Sequence, residues 1–416
     1  MSETRPKRYF VLQFRIFRYL GLGWWHDPEE DKTDNFPGWY LYYSIATQII
    51  FVFSFIGLET IDPFFGETDI DRFMFSLSFV VTHNLTLIKV FIFFMHNAEI
   101  QAIVRTLEVE MYDYYQNEAK NRATVWLSKL LTGSFVFFGW LTIANANLYG
   151  YIQDKKWKAL VANLNDSSVR PVRILPQPVY IPWDYQEDRS YVGAVLVETV
   201  GLLWTGHIVL TVDTFIASVI LHMSSQFEIL NEAESSEMDM DENNEKIVLS
   251  FIPKEEIEKA LHKTFRSCFQ QHQVLINCVE LFARTYFYGF MIQLLSSVAA
   301  ICTVMVQVSQ DASSFKSAKL ATSLAFFAAM IVQLAIQCFS GNELTLQAVR
   351  ISDAVMQCKW ERIPPRQRRL LLMMMMRAQR PLRLTAAGFT YINNECFVAT
   401  QLYSTHSICS SSKPLY

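Results

Sequence analysis

Apolar runs separated by short polar breaks fill most of this chain. Those at 39–57, 73–95, 130–151, 191–222, 283–306 and 320–341 approach the ~20 apolar residues that carry a helix across a bilayer. A seventh, 383–407, is weaker. Its Asn393, Asn394, Glu395, Thr400, Gln401, Ser404, Thr405 and His406 would be costly against lipid, so it is expected to span while shielded by protein and water. The pattern predicts an all-α, polytopic membrane protein with seven transmembrane helices. The 191–222 run exceeds a simple crossing and is expected to continue beyond the lipid. Ahead of the first run, 9–20 sets Phe10, Phe14, Phe17 and Leu20 against Arg15 and Arg18. That spacing predicts a short helix lying in the interface, with Trp24 and Trp25 as belt aromatics.

Composition agrees: 51% of residues are apolar, 32 are Phe, and 18% are charged. A net charge of −4 gives no electrostatic footprint for nucleic acid. The basic residues set the orientation. With a cytosolic N-terminus, the inside receives Arg5, Lys7, Arg8, Arg15 and Arg18, then Arg122 and Lys129, and the dense set from Arg350 to Arg380. The expected parts are therefore a cytosolic N-terminus (1–38), helices one to four (39–222) with an outer loop at 153–189, and a cytosolic loop with helical extension (223–282). Helices five and six (283–341), a cytosolic anchor segment (342–382), and helix seven with an outer tail (383–416) follow. Pro171, Pro176, Pro178 and Pro182 stiffen the outer loop into a lid. The acidic stretch 232–245 reads as solvated. Asn165, in the lid loop, heads a glycosylation sequon on the side assigned outside.

The seven cysteines form no metal or disulfide spacing and read as packing residues. No cleavable signal peptide is expected. Catalytic motifs such as GxSxG, HExxH and a phosphate-cradling Gly-rich loop are absent from the sequence, so neither an enzyme nor a cofactor is expected. Ionisable residues at membrane depth are the functional suspects: His83 and Lys89 in span two, Glu198, His207 and Asp213 in span four. Span four is long enough to set Glu198 near the outer surface and Asp213 near the inner one. The plainer reading of span two is interhelical hydrogen bonding by His83 and Asn84, with Lys89 snorkelling to the inner interface. The Met373–Met376 run reads as adaptable packing on an amphipathic helix.

The C-terminal third carries specific wording. Cys338, Gly341, Leu344, Ser352, Val355 and Trp360 are followed by Arg377-Ala378-Gln379-Arg380-Pro381-Leu382, Thr385-Ala386 and Phe389. With the Leu175-Pro176 and Pro182-Trp183-Asp184 elements of the outer loop, this closely resembles the insect odorant receptor family. The resemblance implies an odorant-tuning subunit in the plasma membrane of olfactory sensory neurons. Such a subunit joins a shared co-receptor in a heteromeric, tetrameric, non-selective cation channel opened by a volatile ligand. The chain is short for the co-receptor itself.

Projected onto this chain, the family's odorant cavity names Phe79, His83, Asn147, Tyr151, Leu202, Trp204, Ala325 and Phe326. The pore would be lined by Gln401, Thr405, Ile408 and Ser410. The subunit anchor would include Trp360, Arg377, Arg380 and Pro381. One departure stands out. Where the family closes on aromatic and aliphatic residues, this chain has Ser404-Thr405-His406-Ser407-Ile408-Cys409 and then Ser410, Ser411 and Ser412, putting hydroxyls where an apolar constriction would gate. The alternative of a gustatory-type channel is disfavoured by the Arg-Ala-Gln-Arg-Pro-Leu segment. A G-protein-coupled receptor is disfavoured by the orientation and by the missing DRY-like and NPxxY motifs.

Overall fold

The computed structural model describes residues 8–23, 38–65, 70–163, 171–236, 254–311, 318–357, 363 and 365–411. Trp24, Trp25, Asn165, Trp360 and most of the acidic 232–245 stretch lie outside them. The helices are α1 (Val11–Tyr19), α2 (Gly38–Phe65), α3 (Ile70–Met95), α4 (Asn97–Glu108), α5 (Glu118–Ala162) and α6 (Asp188–Ser236). They continue with α7 (Lys254–Thr285), α8 (Phe287–Asp311), α9 (Ala318–Met356), α10 (Pro365–Ala378) and α11 (Asn394–Ser411). Among the described residues, α2, α3, α5, α6, α8 and α9 each hold a segment long and apolar enough to cross a bilayer. The polar α11 follows them as the seventh.

Several helices outrun the membrane. At 45 residues for α5 and 49 for α6, each is about twice as long as a ~30 Å hydrocarbon core requires. The extension expected of span four is therefore real, and α5 shares it. Asn117 starts α5 by accepting hydrogen bonds from the Ala119 and Lys120 N–H groups at 3.1 and 3.3 Å, which satisfies donors the first turn leaves open. Within the expected loop and helical extension at 223–282, α7 runs from Lys254, and only Tyr286 separates α7 from α8. The ladder runs on through it: Tyr286 N–H donates to Phe282 and Phe290 N–H to Tyr286, both at 3.0 Å.

α6 is the central post, packed most extensively on α9 and α5. Its Ile208, Val212, Phe215, Val219, Ile220, Met223 and Phe227 are buried. The apolar face of α1 is taken up by this core rather than by lipid. Phe10 and Phe17 are fully buried, with ring centroids 5.6 and 5.7 Å from Phe215. Gln13 Nε2 donates to Ser218 at 3.1 Å, and Glu108 receives the Tyr9 and Phe10 N–H groups at 2.7 and 3.1 Å. Arg15 and Arg18 are exposed. An apolar stripe on nine residues does not say whether protein or lipid covers it.

The seventh span needs a correction. Residues expected to begin it at 383 instead form a two-stranded hairpin, β1 (Thr385–Ala386) paired antiparallel with β2 (Thr390–Tyr391). Its turn places Ala387 at φ 49° and Gly388 at φ 78°, a left-handed backbone that no helix can continue through. Asn393, counted as costly against lipid, caps α11 through a 2.9 Å bond from the Cys396 N–H. The hairpin packs so closely on α9 that a Cβ at Gly341 would lie 2.6 Å from the Ile392 carbonyl oxygen.

The Pro-rich lid segment, 171–187, packs over α5 and α6, and residues 153–162, expected in the outer loop, belong instead to α5. Arg173 anchors the segment and is fully buried. The guanidinium donates to Asp154 on α5, to Asp188 on α6 at 2.8 Å and to the Gln186 carbonyl at 3.1 Å. It also lies 3.8 Å over the Tyr191 ring and 4.6 Å over Trp157. Only a planar fork can bridge two carboxylates while stacking on aromatics. Arg173→Lys should therefore keep the charge yet lower thermal stability by about 1–2 kcal/mol through lost bidentate bonding and stacking. A melting curve of the purified receptor equal to the native one would show that the lid does not depend on this geometry.

Candidate ligand cavity and the anchor

Toward the lid end of the bundle, α3, α5, α6 and α9 enclose a cavity of about 70 Å³. Its wall is nearly all apolar, with Phe79, Phe135, Trp140, Leu202, Leu210, Phe326 and Met330 among its members and Thr82, Thr142, His83 and His207 supplying polarity. Aromatic faces supply binding energy to a guest with few polar handles, and a small number of polar groups set its orientation. The space is tight. An odorant-sized guest would have to turn side chains aside, and Met330, unbranched and adaptable, is the natural one to yield.

His83 enters this wall already oriented. Its Nδ1 lies 2.7 Å from Glu59 Oε2 on α2, and both side chains are buried. With Nδ1–H donated to the carboxylate, Nε2 is the nitrogen left for a guest. The pairing lies 24 residues apart in sequence, and no spacing rule would have found it. His207 presents its ring edge-on to Trp140, centroids 5.7 Å apart at 88°.

Four of the eight projected residues, Phe79, His83, Leu202 and Phe326, line the cavity; Asn147, Tyr151, Trp204 and Ala325 do not. Helix geometry accounts for each. Residues two apart on a helix point to nearly opposite faces, so Leu202 and Trp204 cannot share a wall. Trp204 instead stacks on Phe51 of α2 at 4.8 Å. On α5 the cavity touches Phe135, Gly139, Trp140, Thr142 and Ile143, so Asn147 lies a turn beyond it and Tyr151 two. Asn147 accepts from Thr199 at 3.0 Å and donates to Ile143 O at 2.9 Å, while Tyr151 is exposed. On α9 the stripe is Phe326, Ala329 and Met330, and Ala325 is buried beside it. Continuing the i+4 and i+7 steps from Leu202 would have reached Gly206 and Val209, which the projection missed.

Directly below the cavity lies a buried ionic node. Lys89 Nζ of α3 meets Asp213 Oδ1 of α6 at 2.5 Å. Gln333 of α9 donates to Oδ2, and Gln337 contacts Oδ1 at 3.5 Å. The snorkelling expected of Lys89 is corrected here. Its side chain is 7% exposed, and Asp213, expected near the inner surface, is 3% exposed. A salt bridge inside the bundle is available to Lys89, and it replaces the reach for headgroups. Glu198, expected near the outer surface, is buried and receives the Gln177 backbone N–H of the lid.

At the opposite end, Arg377 Nη2 of α10 donates to Glu280 of α7 at 2.9 Å. The Arg380 N–H closes the helix end on the Arg377 carbonyl at 3.2 Å, leaving Arg380 and Pro381 exposed. In the methionine run Met374 is buried, whereas Met373 and Met376 are exposed. His272 of α7 is buried against Phe227, and burial, then the nearby Arg377 cation, pushes its pKa down to about 4. The sign follows directly. Because the folded value lies below the ordinary 6.5, stability is fully present above pH 6.5 and is lost as pH falls toward 4. His272→Gln should flatten that acid-side loss in melting temperature; an unchanged profile would show that another group carries it. Of the residues assigned to the pore, Gln401, Thr405, Ile408 and Ser410 all belong to α11.

Fold and cavity together define an all-helical, polytopic membrane protein with an internal chamber suited to a small apolar molecule. The 7tm odorant receptor family matches residues 69–401. Odorant receptor 94a of Drosophila melanogaster is 22% identical over 226 residues, 54% of either chain; the match thus spans about half the length of that relative. Odorant receptor Or1 of Anopheles gambiae is 23% identical over 358 residues, covering 83% of this chain and 80% of that one. The olfactory receptor OR5 of Machilis hrabei has the same fold, with a TM-score of 0.74 over 96% of both chains at 12% identity. A structure of that receptor in complex with eugenol superposes equally well. The chain belongs to the insect odorant receptor family.

Proposed function

We propose that this chain is an odorant-tuning subunit that holds a volatile, largely apolar ligand in the cavity between α3, α5, α6 and α9. Ligand binding then opens a non-selective cation channel formed with a co-receptor subunit. The observation that carries this reading is the aromatic chamber with one histidine fixed by a carboxylate, Glu59–His83, at its wall. The eugenol complex of the Machilis receptor supports a small aromatic or terpenoid-sized guest. In this reading the N-terminus is cytosolic, and α7, α10 and the ends of α6 and α9 form the subunit anchor, with Trp360, Arg377, Arg380 and Pro381. Gln401, Thr405, Ile408 and Ser410 border the ion path. The receptor works in the plasma membrane of olfactory sensory neurons, and Asn165 carries a glycan on the lid side.

The test is heterologous expression with and without the common insect co-receptor, recording currents across an odorant panel. Ligand-evoked cation current in the pair alone is the expected result. G-protein signalling without current, or a tagged C-terminus accessible only from the cytosol, would overturn the reading.

A further inference from the structure

A second cavity, of about 450 Å³, opens at the end of the bundle opposite the lid. It lies between the chain entering α1 and the first three turns of α5. Arg8, Tyr9, Arg122, Trp126 and Lys129 line it, with Glu118 as its one acidic wall residue. We propose that this cavity binds the phosphate-bearing headgroup of an anionic membrane lipid.

The α5 contributors fall at 118, 121, 122, 125, 126 and 129, steps of three, four, seven, eight and eleven that place them on one helix face. Three cations oppose one carboxylate there. Arg122 Nε donates to the Glu118 carbonyl at 3.3 Å, which holds its guanidinium along this face, while Lys120, outside the wall, binds Glu228 and Glu232 of α6 at 2.5 and 2.6 Å. Trp126 is 65% exposed, and the lipid-facing surface of α5 begins beside it with exposed Leu127 and Leu130. An exposed tryptophan at the edge of such a surface sits at headgroup level, which sets the cations at phosphate depth. Tyr9 adds a neutral donor, since burial, then Glu108, pushes its phenol up to about 12. A bound headgroup would tie α1 to α5, and through Phe10 and Gln13 to α6.

The site's leaflet rests on the cytosolic N-terminus proposed above, but its chemistry does not, so the test uses bilayers of symmetric composition. The full-length receptor is purified into phosphatidylcholine nanodiscs with or without phosphatidylinositol phosphate, and retained lipid is measured by native mass spectrometry. Preferential retention of the phosphorylated lipid is expected. A variant carrying both Arg122→Gln and Lys129→Gln should retain about 30-fold less, each cation near an anionic surface contributing about fivefold. Arg122→Lys with Lys129→Arg should retain near-native amounts. Equal retention of both lipids, or undiminished retention by the glutamine variant, overturns the site. Displacement of the lipid by an equal concentration of soluble inositol phosphate overturns the lipid assignment in favour of a free phosphate compound. Since no current is recorded, these outcomes stay separate from the odorant reading.

Discussion

Exchanging Lys89 for methionine should destabilise the receptor by about 3–5 kcal/mol, because it strands the Asp213 carboxylate in the bundle without its counter-charge. The glutamines at Gln333 and Gln337 soften this loss by donating hydrogen bonds, but an amide supplies no net charge. The pair joins α3 to α6, and the glutamines bring in α9, so three of the four cavity walls meet at one carboxylate. Removing both charges, as in Lys89→Met with Asp213→Asn, should recover most of the lost stability, since a neutral replacement of a buried pair is often close to neutral. Surface expression and the melting temperature of purified receptor read both effects. A single variant as stable as the native chain would mean that the carboxylate is protonated or hydrated in the membrane and the pair is not an ionic brace.

Filling the cavity from Gly206 should abolish or sharply weaken odorant responses while leaving folding intact. Gly206 lines the cavity, and a Cβ built there meets nothing within 4 Å. The Cβ of Gly206→Phe is therefore accommodated, and its ring takes the place of the guest in the tight cavity, turning Met330 aside as an odorant would. A guest denied about 100 Å² of apolar contact forfeits ~2.5 kcal/mol, or roughly 70-fold in potency. Concentration–response curves with co-receptor present would show this as a rightward shift at unchanged surface expression. Gly201→Phe makes the contrast, because a Cβ at Gly201 would lie 2.3 Å from Phe55. That variant should fail in expression instead. A Gly206→Phe receptor with native potency would move the odorant site elsewhere.

The two predictions differ in how much the sequence could have said about them. Lys89 and Asp213 each stood out as charges at membrane depth, yet nothing in their local spacing links residues 124 positions apart. Taken singly, a lysine in a span reaches for headgroups and a carboxylate in a long helix sits toward one of its ends. On α6 the helical step was legible, and continuing it from Leu202 leads to Gly206. Trp204, two residues on from Leu202, stands on the opposite face of α6 and stacks on Phe51 instead. On α5 the depth was not legible, since a run of mixed small, amide and aromatic residues fits any level of a long helix.

The sequence by itself determined six apolar spans, the polar seventh segment and the family, because hydrophobic period and the Arg377–Leu382 wording are local properties of the chain. Tertiary structure alone decided that α1 is swallowed by the core, that a hairpin precedes α11, that Glu59 orients His83, and where along α5 the cavity lies. The reason is physical. An amphipathic face or a buried charge records that a partner is needed, but the partner's identity depends on helices that meet only after the bundle closes.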